Sequence, residues 1–216
     1  MKSLKIPYLS SLNEASAKEA SEILSDPAVP FEEIGELNWP HAFEYKPEAR
    51  FKMARSKDSL FIHFSVEEEY VRATYGKDQA PVWQDSCVEF FCKLPEHAFY
   101  RNFEFNCIGT CLACAREGRN ENVNPLSEAQ LKKIERYASL GNTPFNERKE
   151  KTSWQLCVKI LFSLLDIDPE KLPEELQANF YKCGDKTTLP HYLSWSRINT
   201  EKPDFHRPEF FGSCTF

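Results

Sequence analysis

Trp83 and Glu89 belong to one stretch, Pro81-Val82-Trp83-Gln84-Asp85-Ser86-Cys87-Val88-Glu89-Phe90-Phe91. It opens as a polar turn and continues as a β-branched and aromatic strand. Side chains alternate along a strand, so Val88, Phe90 and Cys92 share one side and Glu89 and Phe91 the other. An indole and a carboxylate are therefore expected close together at a strand entrance. A sugar ring wants that pairing: a flat aromatic face for its C–H groups and an acceptor for its hydroxyls. A plainer reading has Trp83 closing the core and Glu89 facing water.

Other chemistries can be weighed from residue types alone. Cys107-x-x-x-Cys111-x-x-Cys114 has a spacing used for iron–sulfur clusters, and Cys111-x-x-Cys114 half of one used for zinc. Both fall in a strand–turn–strand with Gly109 at the turn, where cysteines are expected as core thiols. Five histidines are present, but no Gly-x-Ser-x-Gly elbow accompanies them. Glu89 and Glu104 on adjacent strands would be the pair to test for glycoside hydrolysis, the enzymatic alternative to binding. No Asp-x-Asp-x-Asp string marks a calcium loop.

Elements to position these groups are legible. Ser11-Leu-Asn-Glu14 reads as a capping box ahead of a helix over 15–24, stopped by Asp26-Pro27. Strand alternation then dominates. Leu60, Ile62, Phe64 and Val66 share a face, as do Trp154, Leu156, Val158, Ile160 and Phe162. Phe103, Phe105 and Cys107 alternate with Tyr100, Asn102, Glu104 and Asn106, the second set suiting a wet, ligand-facing surface. Helical turns are expected at 127–136 and within the proline-broken 164–176, and a further strand at 178–183. The expected fold is all-β, a jelly-roll or immunoglobulin-like β-sandwich with a short N-terminal helix and a few helical loops. Residues 1–30 read as a helical extension and 31–216 as the sandwich.

The chain has 216 residues, 17 of them Phe, and a formal net charge of −6. That balance argues against nucleic acid or an anionic membrane as partner. Eight cysteines without an apolar leader at Met1-Lys-Ser-Leu-Lys-Ile are expected as free thiols in a cytoplasmic chain, unless the sequence is a trimmed form.

The Val82–Phe91 stretch resembles family-9 carbohydrate-binding modules of the DOMON-like superfamily. Asn38-Trp39-Pro40, 60–64, 102–110, 178–184, Leu193-Ser-Trp195-Ser196 and Pro203-Asp-Phe-His-Arg-Pro-Glu-Phe-Phe-Gly212 support the likeness in order. The resemblance implies a β-sandwich that binds oligo- or polysaccharide without cleaving it, such as xylan or glucan fragments, in support of polysaccharide degradation by a glycoside hydrolase, here one acting in trans. It implies an aromatic clamp, with Trp83 and Glu89 at the positions of the first tryptophan and its acid. Trp195 is the candidate second tryptophan, and Asn102, Glu104, Asn106 and Arg197 are looser matches. Glu104 stands near the place of the family's sugar-holding arginine. No cofactor follows from the residues themselves, and the resemblance allows calcium. The superfamily also contains haem-binding redox domains with Met and His ligands, for which Met53 and His63 are the candidates.

Overall fold

In a computed structural model, which describes residues 2–216, the chain forms two facing β-sheets. Strands in chain order are β1 (Ser3–Lys5), β2 (Glu32–Glu33), β3 (Glu36–Leu37), β4 (Glu48–Arg55), β5 (Ser59–Ala73), β6 (Cys87–Lys93), β7 (Tyr100–Asn106), β8 (Cys111–Arg116), β9 (Asn124–Pro125), β10 (Glu135–Ala138), β11 (Phe145–Leu161), β12 (Glu175–Cys183), β13 (Tyr192–Ser194) and β14 (Gly212–Thr215). The larger sheet runs β1-β14-β12-β6-β7-β8-β9, with β13 on β12 and β3 on β13. The smaller runs β10-β11-β5-β4-β2. Pairing is antiparallel except for β1 on β14.

The alternation read from the sequence drives the layers together. Leu60, Ile62, Phe64 and Val66 on β5 and Trp154, Leu156, Val158 and Ile160 on β11 face inward from the smaller sheet. Val88, Phe90, Phe103, Phe105 and Phe180 meet them from the larger. Phe51 and Phe180 stack across the gap at 3.6 Å between centroids. Burial of each such ring stabilises the sandwich by roughly 1.5–3 kcal/mol.

Each sheet also has a second apolar cover. On the smaller sheet, α1 (Ala17–Ile23) lays Ala20, with Leu24 just beyond it, over Ala54, Phe61 and Cys157. Residues 2–30 are thus bound to the sandwich, by this helix and by β1. On the larger sheet, segments carrying Trp39, Ile198, Phe205 and Phe211 cover Phe91, Tyr100 and Tyr181. Tyr100, Asn102, Glu104 and Asn106, expected as a wet face, are consequently all buried.

Three local readings change. The capping box lies at Ser16–Glu19, where Ser16 N–H donates to Glu19 Oε2 at 2.9 Å, while Ser10–Leu12 is a short 3-10 turn that buries Leu12. The helix after Ser127 stops as α2 (Glu128–Leu131), because Ile134 enters the core and Arg136 is forked onto Asp78 at 2.7 and 3.0 Å. Those anchors pull 135–138 into an edge strand. Between 164 and 176 there is no α-helix: Leu164, Leu165 and Ile167 plug the core irregularly, with Asp166 at φ +56.

Candidate functional site

The turn before β6 is fixed from beneath. Asp85 is fully buried and accepts from Thr74 N–H, Thr74 Oγ1, Tyr75 N–H and Asn106 Nδ2, all within 3.0 Å, with Arg72 Nε at 3.2 Å. This clamp sets the 3-10 turn Val82–Gln84, so Trp83 is held half-buried at the lip of a cleft. The Trp83 carbonyl accepts from Asp185 N–H at 3.1 Å and ties the lip to the chain leaving β12.

The cleft floor is the outer face of β12, β6, β7 and β8. Glu89 and Glu104 are directly opposed across β6 and β7, and each is less than 5% exposed. Asn102 Nδ2 donates to Glu104 Oε1 at 2.8 Å, whereas Glu104 Oε2 has no hydrogen-bond partner. Cys183 and Cys87 face each other on β12 and β6, and their thiols reach Glu89 Oε1 at 3.2 and 3.9 Å. Arg116, at the end of β8, supplies a cation, its Nη1 donating to the Arg119 carbonyl at 2.8 Å.

Burial sets the protonation. It raises Glu89 well above the usual carboxylate range, with the Glu104 charge adding to the effect. Burial lifts Glu104 to about 7, against the pull of Arg116 and the Asn102 amide. Asp185 rises to about 6 for the same reason. Desolvation, reinforced by Arg116 and Arg119, drops His206 to about 3, so its ring is neutral and pairs with the Tyr100 hydroxyl at 2.9 Å. Acids raised by burial and a neutral imidazole at the wall suit a neutral polyol better than an anion.

Trp83, Glu89 and Glu104 therefore converge, together with Arg116, Asp185, Tyr192, Asp204, Phe205 and His206, around a cleft of about 460 Å³. A larger hollow of about 580 Å³ on the smaller sheet, beside Arg50, Ser65 and Gln155, has no aromatic wall. Asn102 lies under the site and orients Glu104. Asn106 does not reach it: its oxygen accepts from Ile108 and Thr110 N–H and its amide is spent on Tyr75 and Asp85. Arg197 is exposed and away from the lining.

Trp195 is placed in the core, not the cleft. It is fully buried, edge-on to Phe180 and Phe51 at 5.6 and 6.1 Å, with its indole N–H on Glu32 at 2.9 Å. The other aromatics lining the cleft with Trp83 are Tyr192 and Phe205, the latter stacked on Tyr181 at 4.2 Å. The segment Pro203–Gly212 is legible in the sequence, but its place over the cleft is not. An arginine closing the apolar run of β8 was the available signal for Arg116.

Other ligand sets come apart for geometric reasons. Met53 points into the core while His63 emerges on the opposite face of the sheet and meets Ser21 Oγ at 3.3 Å, so they cannot flank one haem. Cys111 faces the core and Cys114 the cleft, as residues three apart on a strand must, so neither a cluster nor a zinc pair forms there. Asp85 and Asp78 are committed to Arg72 and Arg136, and among the described residues no trio of carboxylates converges.

Residues 18–216 match the family model for carbohydrate-binding family 9. The chain belongs to that family. A Bacteroides uniformis protein provisionally described as carbohydrate-binding is similar at 34% identity over 100% of this chain and 99% of its own, with a TM-score of 0.91. A family-9 carbohydrate-binding module from Caldicellulosiruptor kristjanssonii, solved with glucose and again with cellotriose, shares the fold at 11% identity and TM-score 0.60. Each match spans 99% of this chain and 95% or 93% of that one. No curated protein matches the chain.

Proposed function

We propose that the cleft binds a short glucose-type oligosaccharide without cleaving it, in support of polysaccharide breakdown by a hydrolase acting in trans. The observation that carries this is the convergence of half-buried Trp83 with Glu89, Glu104 and Tyr192 around one cleft. Trp83 stacks on one face of a pyranose and Tyr192 borders the other. Glu89, Glu104 and Asp185 accept from or donate to hydroxyls according to their protonation, and Arg116 donates. The glucose and cellotriose held by the C. kristjanssonii module favour this sugar class over xylose. An aromatic stack contributes about 1 kcal/mol and each neutral hydrogen bond about 1 kcal/mol. Affinity is therefore expected in the micromolar to millimolar range, roughly −4 to −8 kcal/mol.

Hydrolysis is the weaker reading. Glu89 and Glu104 rise side by side from adjacent strands of one floor, while hydrolysis requires carboxyl groups on either side of the scissile bond.

Titration calorimetry with glucose, cellotriose and xylotriose tests the proposal. Saturable heat with cellotriose, at least tenfold weaker in Trp83→Ala and without release of reducing sugar, is expected. Undiminished binding in Trp83→Ala, or no heat from any of the three with a folded chain, would sink it.

A further inference from the structure

Glu89 has neighbours that sugar binding does not require. Its Oε1 lies 3.2 Å from Cys183 Sγ and 3.9 Å from Cys87 Sγ. All three donor atoms fall within 4.8 Å of one another, and among the described residues no other trio of His, Cys, Asp or Glu does so. The sheet builds this trio: Cys87 and Cys183 are cross-strand partners, and Glu89, two residues beyond Cys87, emerges on the same face.

Those separations suit a tetrahedral ion. Zinc holds thiolate sulfur at about 2.3 Å and carboxylate oxygen at about 2.0 Å, which gives a sulfur-to-oxygen edge of about 3.5 Å. The observed 3.2 and 3.9 Å bracket that edge. A second, independent observation points to a ligand. Glu104, opposite Glu89 and 4% exposed, carries a buried Oε2 with no hydrogen-bond partner. An unpaired buried carboxylate oxygen is costly, and a cation beside it would remove that cost.

We propose that Cys87, Glu89 and Cys183 bind a single thiophilic divalent cation of the zinc type on the cleft floor, beside the unpaired Glu104 oxygen. Binding displaces the thiol protons of Cys87 and Cys183. The ligand set is soft at two positions, which selects zinc or cobalt over magnesium or calcium.

Titration of the reduced full chain with Co²⁺ reads the site directly and involves no sugar, so it stands or falls apart from the carbohydrate reading. One equivalent is expected to produce a thiolate-to-cobalt charge-transfer band and tetrahedral visible bands, both erased by Zn²⁺. Cys183→Ser and Cys87→Ser should lose the charge-transfer band, whereas Cys114→Ser, which alters a thiol of the same cleft outside the trio, should keep it. A folded chain that gives no such band overturns the proposal, as does a band undiminished in both trio variants. Should the serine variants fail to fold, Glu89→Gln retains both thiols, and unchanged cobalt affinity there overturns it equally.

Discussion

At the scale of single residues, the cleft floor is governed by desolvation. Glu104 is opposed by Glu89 and lacks a partner for one oxygen, so its folded form holds a proton up to about pH 7. An unfolded glutamate releases its proton near pH 4.3. Between those values the native state binds more protons than the unfolded state, so stability falls as pH rises through the window. Glu104→Gln, which is neutral at every pH, should flatten that fall and leave the variant more stable than the parent above pH 7, by about 1–3 kcal/mol. Denaturant melts at pH 5 and pH 8 measure this, and equal pH slopes for the two chains would refute it. Trp195 teaches a different lesson at this scale. In a sequence it is as good a stacking tryptophan as Trp83, but a Cβ added at Gly212 would lie 2.4 Å from its ring, so it occupies a slot shaped for it inside the core.

At the scale of elements, the alternation of apolar residues told which faces of β5, β7 and β11 meet, because a period of two is fixed by backbone geometry. It did not tell that the opposite faces are also covered. Phe61 and His63 lie beneath α1, and Tyr100 and Glu104 beneath the loops that carry Phe205 and His206. α1 is short, and its hold on β5 and β11 depends on its start being fixed. Ser16→Ala removes the acceptor of Glu19 N–H and should cost about 1 kcal/mol, leaving sugar binding at the distant cleft unchanged. A loss of affinity in this variant would mean that the two covered faces are coupled. Helix boundaries were the least legible elements, since Arg136 and its partner Asp78 are far apart in sequence and decide where α2 ends.

At the scale of the molecule, the two sheets are tied by a buried polar bridge as well as by aromatic packing. Lys182 on β12 meets Glu68 on β5 at 3.0 Å and His191 Nε2 at 2.7 Å, while Trp154 Nε1 donates to Glu68 at 2.8 Å. Lys182, Glu68 and His191 are all buried. Burial and the Lys182 charge keep His191 neutral, so it accepts the lysine's proton in a hydrogen bond. Lys182→Met strands the Glu68 carboxylate between the sheets and should cost about 3–5 kcal/mol. Adding Glu68→Gln should recover a substantial part of that loss, measured by chemical denaturation. A single variant as stable as the parent would show that the bridge contributes no net stability.

The sequence by itself determined that the chain is a β-sandwich, which apolar sets face its interior, and that Trp83 and Glu89 lie near each other at a strand entrance. These are consequences of strand periodicity and local spacing, which act over a few residues. Only the tertiary structure decided that Tyr192 and Phe205, not Trp195, line the cleft with Trp83. It alone brought Cys183 onto Glu89. The physical reason is that strand pairing and loop cover join residues as distant as Glu89 and Cys183, and which partner meets which is settled by register and burial across the whole fold.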